Sequence, residues 1–304
     1  MKKSAIPSIS AVIVTYGNRA SLVEEVVNSL NDDLITNIVV VNNGSDNSNV
    51  KMLKQLEIQY KKLHLLTNKQ NLGSSGGLAT GLKYSIETLN TEYVWILDDD
   101  NKPQKDAIHK LVENLISNDK TTNVLLSYRA DKPQYLQAVQ TGQGNGVIGA
   151  INGFMGFHLF HKIKAVIKPK LFKAETTSNV NTNLACAPYG GIFISTELVK
   201  TIGYPNTKYF VYMDDFEWTY RLKGIGAKIE MVPTSVIDVL DLSWNSATEN
   251  SNIFTMLKDA SDFRFFYSVR NRLYFERENL IENYWVYTFN KFSFLTLYLL
   301  LARP

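Results

Sequence analysis

Short apolar runs alternate with amphipathic segments along the first hundred residues. The apolar runs are rich in β-branched residues and end in polar ones, as the buried strands of a parallel sheet do. The segments between them place apolar residues at helical spacing. Strands are predicted at 9–16, 37–43, 63–68 and 92–97, and helices at 19–30, 50–62 and 71–90. This alternation predicts a doubly wound, mostly parallel α/β sheet of Rossmann-like type with right-handed crossovers.

The pattern becomes weaker in the middle of the chain and then returns. No firm element is predicted between residues 130 and 185, where glycines and scattered aromatic residues dominate. A strand and a helix are predicted within 187–203, followed by an acidic turn, a helix and a strand ending near Pro233. From residue 253 to the end the sequence is mainly helical. We therefore expect one domain over 1–240, made of halves at about 1–130 and 131–240, and a C-terminal helical region at 241–304.

Composition narrows the class of protein without identifying it. Of 304 residues, 45% are hydrophobic and 20% are charged, as in ordinary globular proteins. The net charge of +3 is too small to indicate a nucleic-acid partner. Cys186 is the only cysteine, so an internal disulfide is excluded and a reducing compartment is favoured. The first ten residues lack the apolar stretch of a secretory signal, so we expect none.

The end of the chain, 284–304, is rich in aromatic residues and then nearly all apolar. Asn290 and Lys291 interrupt it, whereas a membrane-spanning helix needs about 20 apolar residues. The composition favours a helix lying in the membrane interface, with aromatic side chains at headgroup depth. A helix packed on the protein core or on a second subunit is the alternative, and the sequence leaves both open.

Polar clusters follow each of the first four predicted strands. In such sheets ligands bind beyond the carboxyl ends of the strands, where the connecting loops gather. Each cluster alone is also typical of plain turns. Their order and shared location predict a nucleotide-sized site formed by TYGN, NNGSDN, NKQNLGSSGG and DDDN.

Three successive carboxylates, Asp98, Asp99 and Asp100, follow the fourth strand. In an extended segment Asp98 and Asp100 would face one side and Asp99 the other. Two carboxylates on one side are suited to Mg²⁺ or Mn²⁺, which prefer oxygen ligands. The alternative is an acidic cap on a helix beginning near Pro103. Because a cap needs a single aspartate, the metal site is the favoured hypothesis.

A second acidic cluster contains Asp214, Asp215 and Glu217, just before a predicted helix. Alone, it is explained by the preference for acidic residues at the start of a helix. Together with the first cluster it provides what a transfer reaction needs, because a carboxylate near a metal-bound donor can accept a proton from an attacking hydroxyl.

The motifs as a set resemble the inverting glycosyltransferases of family 2, over about residues 9–233. Such enzymes have a nucleotide-sugar-binding fold of GT-A type and move a sugar from a nucleoside diphosphate to a hydroxyl. The matching segments, in the order of the family, are AVIVTYGN, VVVNNGSDN, NLGSSGGLATGL, WILDDDNKP, GGIFIS and MDDFEWTYRLKGIGAKIEMVP.

The resemblance implies roles for individual residues. Asp215, the second acid of the acidic turn, is the implied catalytic base. Asp98 and Asp100 are the implied ligands of Mn²⁺ or Mg²⁺, with Asp100 the direct one. The expected donor-binding residues are Thr15, Asn43, Asp46, Asn71, Gly73, Gly76, Asp98 and Asp99. The expected acceptor-binding residues are Gly190, Gly191, Asp214, Glu217 and Trp244.

Two departures from the family pattern refine the prediction. Asn42 and Asn43 replace aspartates that many members carry, and together with the triple aspartate they resemble the bacterial branch that transfers galactofuranose or rhamnose to surface polysaccharides such as O-antigen. The galactofuranosyl relatives complete the metal site with a histidine that this chain lacks before Trp244. Asp241, or with less support Asp238, would supply the third ligand.

The sequence therefore predicts an inverting, metal-dependent glycosyltransferase. UDP-galactofuranose is the favoured donor and dTDP-rhamnose the alternative. The partners expected are the nucleotide sugar, a lipid-linked saccharide acceptor and the cytoplasmic face of a bacterial membrane, without nucleic acid; a homo-oligomer is left open. A nucleotidyltransferase is disfavoured, because the segment after strand one lacks its glycine-rich basic signature. An inactive nucleotide-sugar-binding or scaffold protein is the second alternative.

Overall fold

The computed structural model describes residues 7–117, 124–129, 131–142, 147–167, 183–241 and 260–301. Strands and helices alternate through its first half, as the sequence pattern predicts. The strands are β1 Ile9–Thr15, β2 Asn37–Asn43, β3 Leu63–Asn68, β4 Tyr93–Asp98, β5 Asn101–Pro103, β6 Val124–Arg129, β7 Asn183–Leu184, β8 Ile192–Ser195 and β9 Ile229–Val239. The helices are α1 Ala20–Ser29, α2 Asn47–Gln59, α3 Gly73–Lys83, α4 Ala107–Ser117, α5 Pro133–Thr141, α6 Leu159–Ile167, α7 Thr196–Ile202, α8 Asp214–Gly224, α9 Asp262–Asn279 and α10 Tyr284–Leu301.

The described strands form a single sheet in the order β3-β2-β1-β4-β8-β6-β9-β5, with β7 paired to β9. Strands β1 to β4 are parallel to one another, and β6 is parallel to β9. Strand β8 runs antiparallel between β4 and β6. Because side chains alternate along each strand, Ala11 and Ile13 enter one core while Val12 enters the core on the other face. The predicted doubly wound, mostly parallel fold is confirmed.

The predicted helix start near Pro103 is wrong. Asn101 and Pro103 belong to β5, which pairs with Val239 and Ile237 of β9, and α4 begins only at Ala107. Proline lacks a backbone N–H and is tolerated on an edge strand, where β5 lies. Since β5 separates the three aspartates from α4, the helix-cap alternative fails as well.

The strand predicted to end near Pro233 continues to Val239. A register shift in the pairing with β6 falls at Ser127 and Tyr128, opposite the segment that contains Pro233. A bulge of this kind accommodates a proline within a strand. The longer β9 brings the backbone N–H of Leu240 within 2.9 Å of the Asp100 carbonyl, and Asp241 therefore lies beside the three aspartates.

The two C-terminal helices pack on the segment around residues 148–157. Glu276 of α9 accepts hydrogen bonds from the backbone N–H groups of Met155 and Gly156. Phe154 packs edge-on against Tyr287 and Phe294 of α10. The domain boundary at 240 stays a prediction. No helix in the described ranges combines the length and apolarity needed to cross a membrane.

Candidate active site

A pocket of about 420 Å³ opens at the carboxyl ends of β1, β2 and β4. This is where the polar strand ends were expected to gather. All three aspartates of the triplet contribute to its wall. Among the other predicted residues, the pocket is lined by Asn43, Asn71, Gly73 and Asp241.

The three aspartates share this pocket because the strand ends before the triplet does. Asp98 is the last residue of β4, and Asp99 and Asp100 lie in a turn. The expectation that Asp99 would face away from Asp98 and Asp100 is therefore wrong: the alternation of side chains holds only along extended backbone.

Asp99 is held by Thr15 and Arg19. The Thr15 hydroxyl donates to Asp99 Oδ2 at 2.8 Å, and Arg19 Nε lies 2.9 Å from both carboxylate oxygens. Burial raises the pKa of Asp99 to about 6, against the lowering by Arg19 and Thr15. Thr15 is buried and is not part of the pocket wall. Its hydroxyl contacts Asp99, and its predicted contact with the donor stays a prediction.

Arg19 joins three carboxylates at once. Besides Asp99, its Nη2 lies 3.1 Å from Asp100 and its Nη1 lies 2.6 Å from Asp241. Sequence analysis missed this residue. Its only sequence signal is its position directly after the first strand end, because the aspartates it contacts lie 80 residues or more away.

Asp98 and Asp100 differ in exposure and partners. The Asp98 side chain is 46% exposed and forms an ion pair of 2.7 Å with the buried Arg129, which sequence analysis also missed. Asp100 is mostly buried and accepts a hydrogen bond from Asn101 Nδ2 at 2.8 Å. Burial, with repulsion from Asp98 and Asp99, raises the pKa of Asp100 to about 7.

The ligand chemistry of this cluster fits a divalent cation. Asp98, Asp100 and Asp241 offer carboxylate oxygens, the ligand type that Mg²⁺ and Mn²⁺ prefer, and a cation would relieve the repulsion that raises the pKa of Asp100. As the described side chains stand, no three acidic, histidine or cysteine groups are spaced to hold a metal ion. The guanidinium of Arg19 pairs with both Asp100, at 3.1 Å, and Asp241, at 2.6 Å. Asp238 lies apart, at the surface, where it accepts from Gln104 at 2.9 Å.

The second acidic cluster begins α8. Asp214 is buried, and Ser74 Oγ donates to its Oδ2 at 2.6 Å. Asp215 Oδ1 accepts from the backbone N–H of Phe216 at 2.8 Å. Burial raises the pKa of both carboxyls, and repulsion by Asp214 and by Asp98 raises the pKa of Asp215 further. Ser74 lines the same pocket as Asp98 and donates to Asp214, so the second acidic cluster begins beside the pocket of the first.

Gly190 lets the backbone approach the first cluster. A Cβ at this position would collide with Asn101, Arg129 and Asp98. Gly191 has a φ of +102°, which side-chain-bearing residues rarely adopt. Gly190 therefore lies against the acidic cluster, whereas Gly191 lies against Leu126 and Ser127 of β6. The assignment of both glycines to the acceptor stays a prediction.

The amide of Asn43 explains one departure from the family pattern. Its Nδ2 donates to the Gly73 carbonyl at 2.9 Å and to Asn71 Oδ1 at 3.1 Å. Its Oδ1 accepts from the Leu72 N–H and from Asn68 Nδ2. An aspartate could not donate either of the first two bonds, so the asparagine links the end of β2 to the start of α3.

Asp46, Gly76 and Glu217 lie outside the pocket wall. Asp46 is exposed at the start of α2, and Gly76 faces Leu72 within α3. Both oxygens of Glu217 pair with Arg221, at 2.7 and 2.6 Å. Trp244 lies outside the described residues. The roles proposed for these four positions stay predictions.

An aromatic wall completes the pocket, and sequence analysis did not assign it. It comes from loops and from α9. Its members are Tyr16, Tyr189, Phe210, Tyr212 and Phe263. The residues are far apart in the chain, so no local pattern reveals them.

The family follows from comparison with known proteins. The sequence profile of Glycosyl transferase family 2 matches residues 10–203. The chain belongs to this family, and it is a glycosyltransferase.

Relatives and solved structures agree with this assignment. The chain is 23% identical over 269 residues to a low-salt glycan biosynthesis hexosyltransferase, Agl10, of Haloferax volcanii, covering 87% of this chain and 76% of that protein. It is 28% identical over 121 residues to a UDP-N-acetylglucosamine--dolichyl-phosphate N-acetylglucosaminyltransferase of Methanococcus voltae, covering 36% of this chain and 48% of the relative. The mannosyltransferase PcManGT of Pyrobaculum calidifontis, in complex with GDP-Man and Mn²⁺, superposes with a TM-score of 0.55 at 17% identity, covering 98% of this chain and 76% of that one. These likenesses support a GT-A fold.

Proposed function

We propose that this glycosyltransferase moves a hexose from a nucleoside diphosphate to a saccharide hydroxyl with inversion, in the synthesis of a bacterial surface polysaccharide. The observation that carries the proposal is that one pocket joins two acidic clusters: Asp98 and Ser74 both line it, and Ser74 Oγ donates to Asp214 Oδ2 at 2.6 Å. A donor held at the first cluster would then lie close to a proton acceptor in the second.

The donor side is formed by the pocket wall at the ends of β2 and β4. Asn43, Asn71 and Gly73 would contact the nucleotide, and Thr15 would support it through Asp99. Asp98, Asp100 and Asp241 would hold Mn²⁺ or Mg²⁺, and such an ion would supply positive charge for the leaving diphosphate. The Mn²⁺ and GDP-Man in the PcManGT complex support this part of the proposal. UDP-galactofuranose is the proposed donor and dTDP-rhamnose the alternative, both from the resemblance of the motifs.

Asp215 is the proposed base. A carboxylate whose pKa is raised by burial and by Asp214 holds a proton more firmly than an exposed one, and is therefore better suited to take a proton from a hydroxyl. Asp214 is held by the hydrogen bond from Ser74, so its carboxylate stays beside Asp215. Attack by the acceptor from the face opposite the diphosphate inverts the anomeric centre in one displacement.

We also propose that an outward face of α6 and α10, the apolar docking face, lies on a membrane surface beside a lipid-linked acceptor. Trp285 of α10 is 80% exposed and Phe160 of α6 is 58% exposed. Phe160 stacks on Phe289, with ring centroids 5.8 Å apart, so the two helices form a continuous aromatic surface. Neither helix contains an acidic residue, and the exposed lysines of the two helices are Lys162, Lys164 and Lys291. Aromatic and basic residues together suit the interface of a membrane with anionic lipids.

Turnover measurements test the catalytic proposal. Purified protein with Mn²⁺ or Mg²⁺ receives UDP-galactofuranose, UDP-glucose or dTDP-rhamnose in turn, with and without galactan acceptors, and free nucleotide is recorded. Asp100→Ala and Asp241→Ala should abolish metal-dependent release, and Asp238→Ala should leave it intact. Release from no donor, together with no donor binding by calorimetry, would reject the proposal. Donor binding without turnover would favour the inactive-binding alternative.

Sedimentation with vesicles tests the apolar docking face. Vesicles containing phosphatidylglycerol should retain the protein, and the variant Trp285→Ser/Phe289→Ser should lose about tenfold or more in affinity, because each aromatic side chain contributes about 1.5–3 kcal/mol of apolar burial. Ile58→Ser, at an equally exposed apolar position on α2, is the matched control. Equal binding by the double variant and the control would reject this part of the proposal.

A further inference from the structure

The loop immediately before Asp214 has an unusual backbone. Phe210, Tyr212 and Met213 have φ values of 66°, 63° and 63°. Residues with a Cβ rarely adopt this left-handed conformation, and each instance costs roughly 1–3 kcal/mol. Such a loop persists only where the surrounding structure holds it in place.

Asn271 of α9 holds the loop from one side. Its side chain is buried, with 2% of the residue exposed. Its Nδ2 lies 2.7 Å from the carbonyl oxygens of Tyr209 and Val211 and 3.0 Å from that of Tyr212. An amide nitrogen has two protons, so the three carbonyls share them. One side chain thus contacts three of the five carbonyls of residues 209–213.

The start of α3 holds the same loop from the other side. The Phe210 carbonyl accepts from the backbone N–H of Ser75 at 3.3 Å and from its hydroxyl at 3.2 Å. Ser74 Oγ contacts both this carbonyl, at 3.3 Å, and Asp214 Oδ2, at 2.6 Å. A Cβ on Gly73 would collide with the Phe210 carbonyl, so the approach is as close as the backbone allows. The loop is therefore clamped between α3, on the donor side, and α9.

The clamped loop carries two parts of the site. Phe210 and Tyr212 line the pocket, and Phe210 stacks on Tyr267 of α9, with ring centroids 5.2 Å apart. Met213 leads directly into the acid pair that begins α8. A change in the backbone of the loop would move the aromatic wall and the first turn of α8 together.

We propose that Asn271 is a positioning residue of the active site, which fixes the loop 209–213 and through it Asp214, Asp215 and the aromatic wall. The inference rests on the proposed function, since it assigns Asn271 to the site that performs the transfer. Asn271 is not itself part of the pocket wall, and it acts through the backbone. Its loss should therefore lower kcat more than it raises the KM for the donor, because the predicted donor contacts at Asn43 and Asn71 lie on other elements.

Two substitutions and one control test the proposal. Asn271→Ala removes the hydrogen-bond donor of the side chain. Asn271→Asp keeps the size of the side chain but replaces its N–H groups with a hydrogen-bond acceptor. Asn279→Ala is the matched control, because this asparagine of the same helix donates to the Phe275 carbonyl within α9. We expect both Asn271 variants to lose about tenfold to a hundredfold in kcat, the effect of a misplaced catalytic group, with the donor KM changed less than about threefold. Hydrogen exchange at the amides of 209–216 should accelerate by about fivefold or more, as the loss of a hydrogen bond predicts. Asn279→Ala should change neither kcat nor the hydrogen-exchange rate of residues 209–216.

A rescue experiment separates a backbone role from general stability. Glycine adopts a left-handed φ without the Cβ penalty. In the Asn271→Ala background, Met213→Gly should therefore restore slow exchange and part of kcat, whereas Met213→Ala, which removes the same side chain without relieving φ, should not. If Asn271→Ala does not fold, Asn271→Ser, which keeps one donor, takes its place in both comparisons.

The outcomes distinguish this inference from the proposed function. Unchanged exchange in the Asn271 variants would overturn the inference, whatever the activity. Faster exchange with unaltered kcat would also overturn it, because Asn271 would then stabilise the loop without positioning the site. If the wild type releases nucleotide from no donor, the proposed function fails, and the exchange measurements still decide whether Asn271 holds the loop.

Discussion

The two acidic clusters use the same residue type in different electrostatic settings. The carboxylates of the first cluster, Asp98 to Asp100, form ion pairs with Arg129 and Arg19. In the second cluster, Asp214 accepts from the Ser74 hydroxyl and Asp215 from a backbone N–H, and no arginine is among the main influences on the pKa of either. Burial raises carboxyl pKa values in both clusters.

The difference between the clusters indicates a division of labour. A diphosphate cannot approach a group of carboxylates unless positive charge accompanies them, and the guanidinium groups of Arg19 and Arg129 provide part of that charge at the first cluster. The pair Asp214 and Asp215 is suited to holding and releasing a proton, because burial acts on both carboxyls, repulsion acts on Asp215, and no cation is among the main influences on either. The predictions below test this division, from the largest expected effect to the smallest.

Asp215→Asn should lower turnover by about 10²–10⁴-fold, the usual contribution of a general base. Donor affinity should change little, because the first cluster stays intact. Nucleotide release and calorimetry measure the two quantities, and Asp33→Asn, at an exposed position away from the pocket, is the control. Full turnover in Asp215→Asn would show that the second cluster does not supply the base.

Arg19→Met should destabilise the protein by about 3–5 kcal/mol, because removing one partner of a buried ion pair leaves uncompensated carboxylates. Arg19 is partly buried, so the lower end of this range is expected. Mn²⁺ should restore the Tm of the variant more than it raises that of the wild type, since the cation would replace the lost positive charge. Thermal unfolding with and without Mn²⁺ measures this. An equal effect of Mn²⁺ on both proteins would show that Arg19 and a cation do not share the same carboxylates.

The free energy of unfolding should fall as pH rises from about 5 to 8. Asp99, Asp100, Asp214 and Asp215 all have raised pKa values in the fold, so the folded state keeps protons that the unfolded state releases near pH 4. Stability is then lost with rising pH through this range. Asp215→Asn should flatten the dependence, because its amide carries no proton to lose. Denaturant unfolding at several pH values measures the slope, and an equal slope in the variant would mean that the second cluster is not protonated in the neutral range.

The sequence predicted more of the fold than of the candidate site. Strands β1 to β4 and the helices between them were predicted to within a few residues, because their apolar periodicity is local and strong. The exception is the end of α3, predicted near residue 90: the α-helix ends at Lys83 and a π-helical turn, Tyr84–Thr88, continues it. The polar strand ends were correctly expected to meet, since parallel strands bring their carboxyl ends to one edge. The prediction failed for residues 101–103, where β5 forms only because β9 lies beside it.

Asn290 shows the same limit at the C-terminal end. The sequence presents it as a polar interruption of an apolar helix. In the fold it is buried, donates to the Asn152 carbonyl at 2.9 Å, and accepts from the Leu159 N–H at 3.0 Å. It therefore faces the protein, and the outward face of α10 is more apolar than the sequence suggests.

The sequence by itself determined the α/β class, the family and the two acidic clusters, because periodicity and motifs are properties of neighbouring residues. Only the tertiary structure decided that Arg19 and Arg129 neutralise the first cluster and that Asn271 holds the loop before the second. These contacts join residues about 30 to 220 positions apart. A side chain recruited over such a distance leaves no local pattern, since its partner is chosen by how the elements pack.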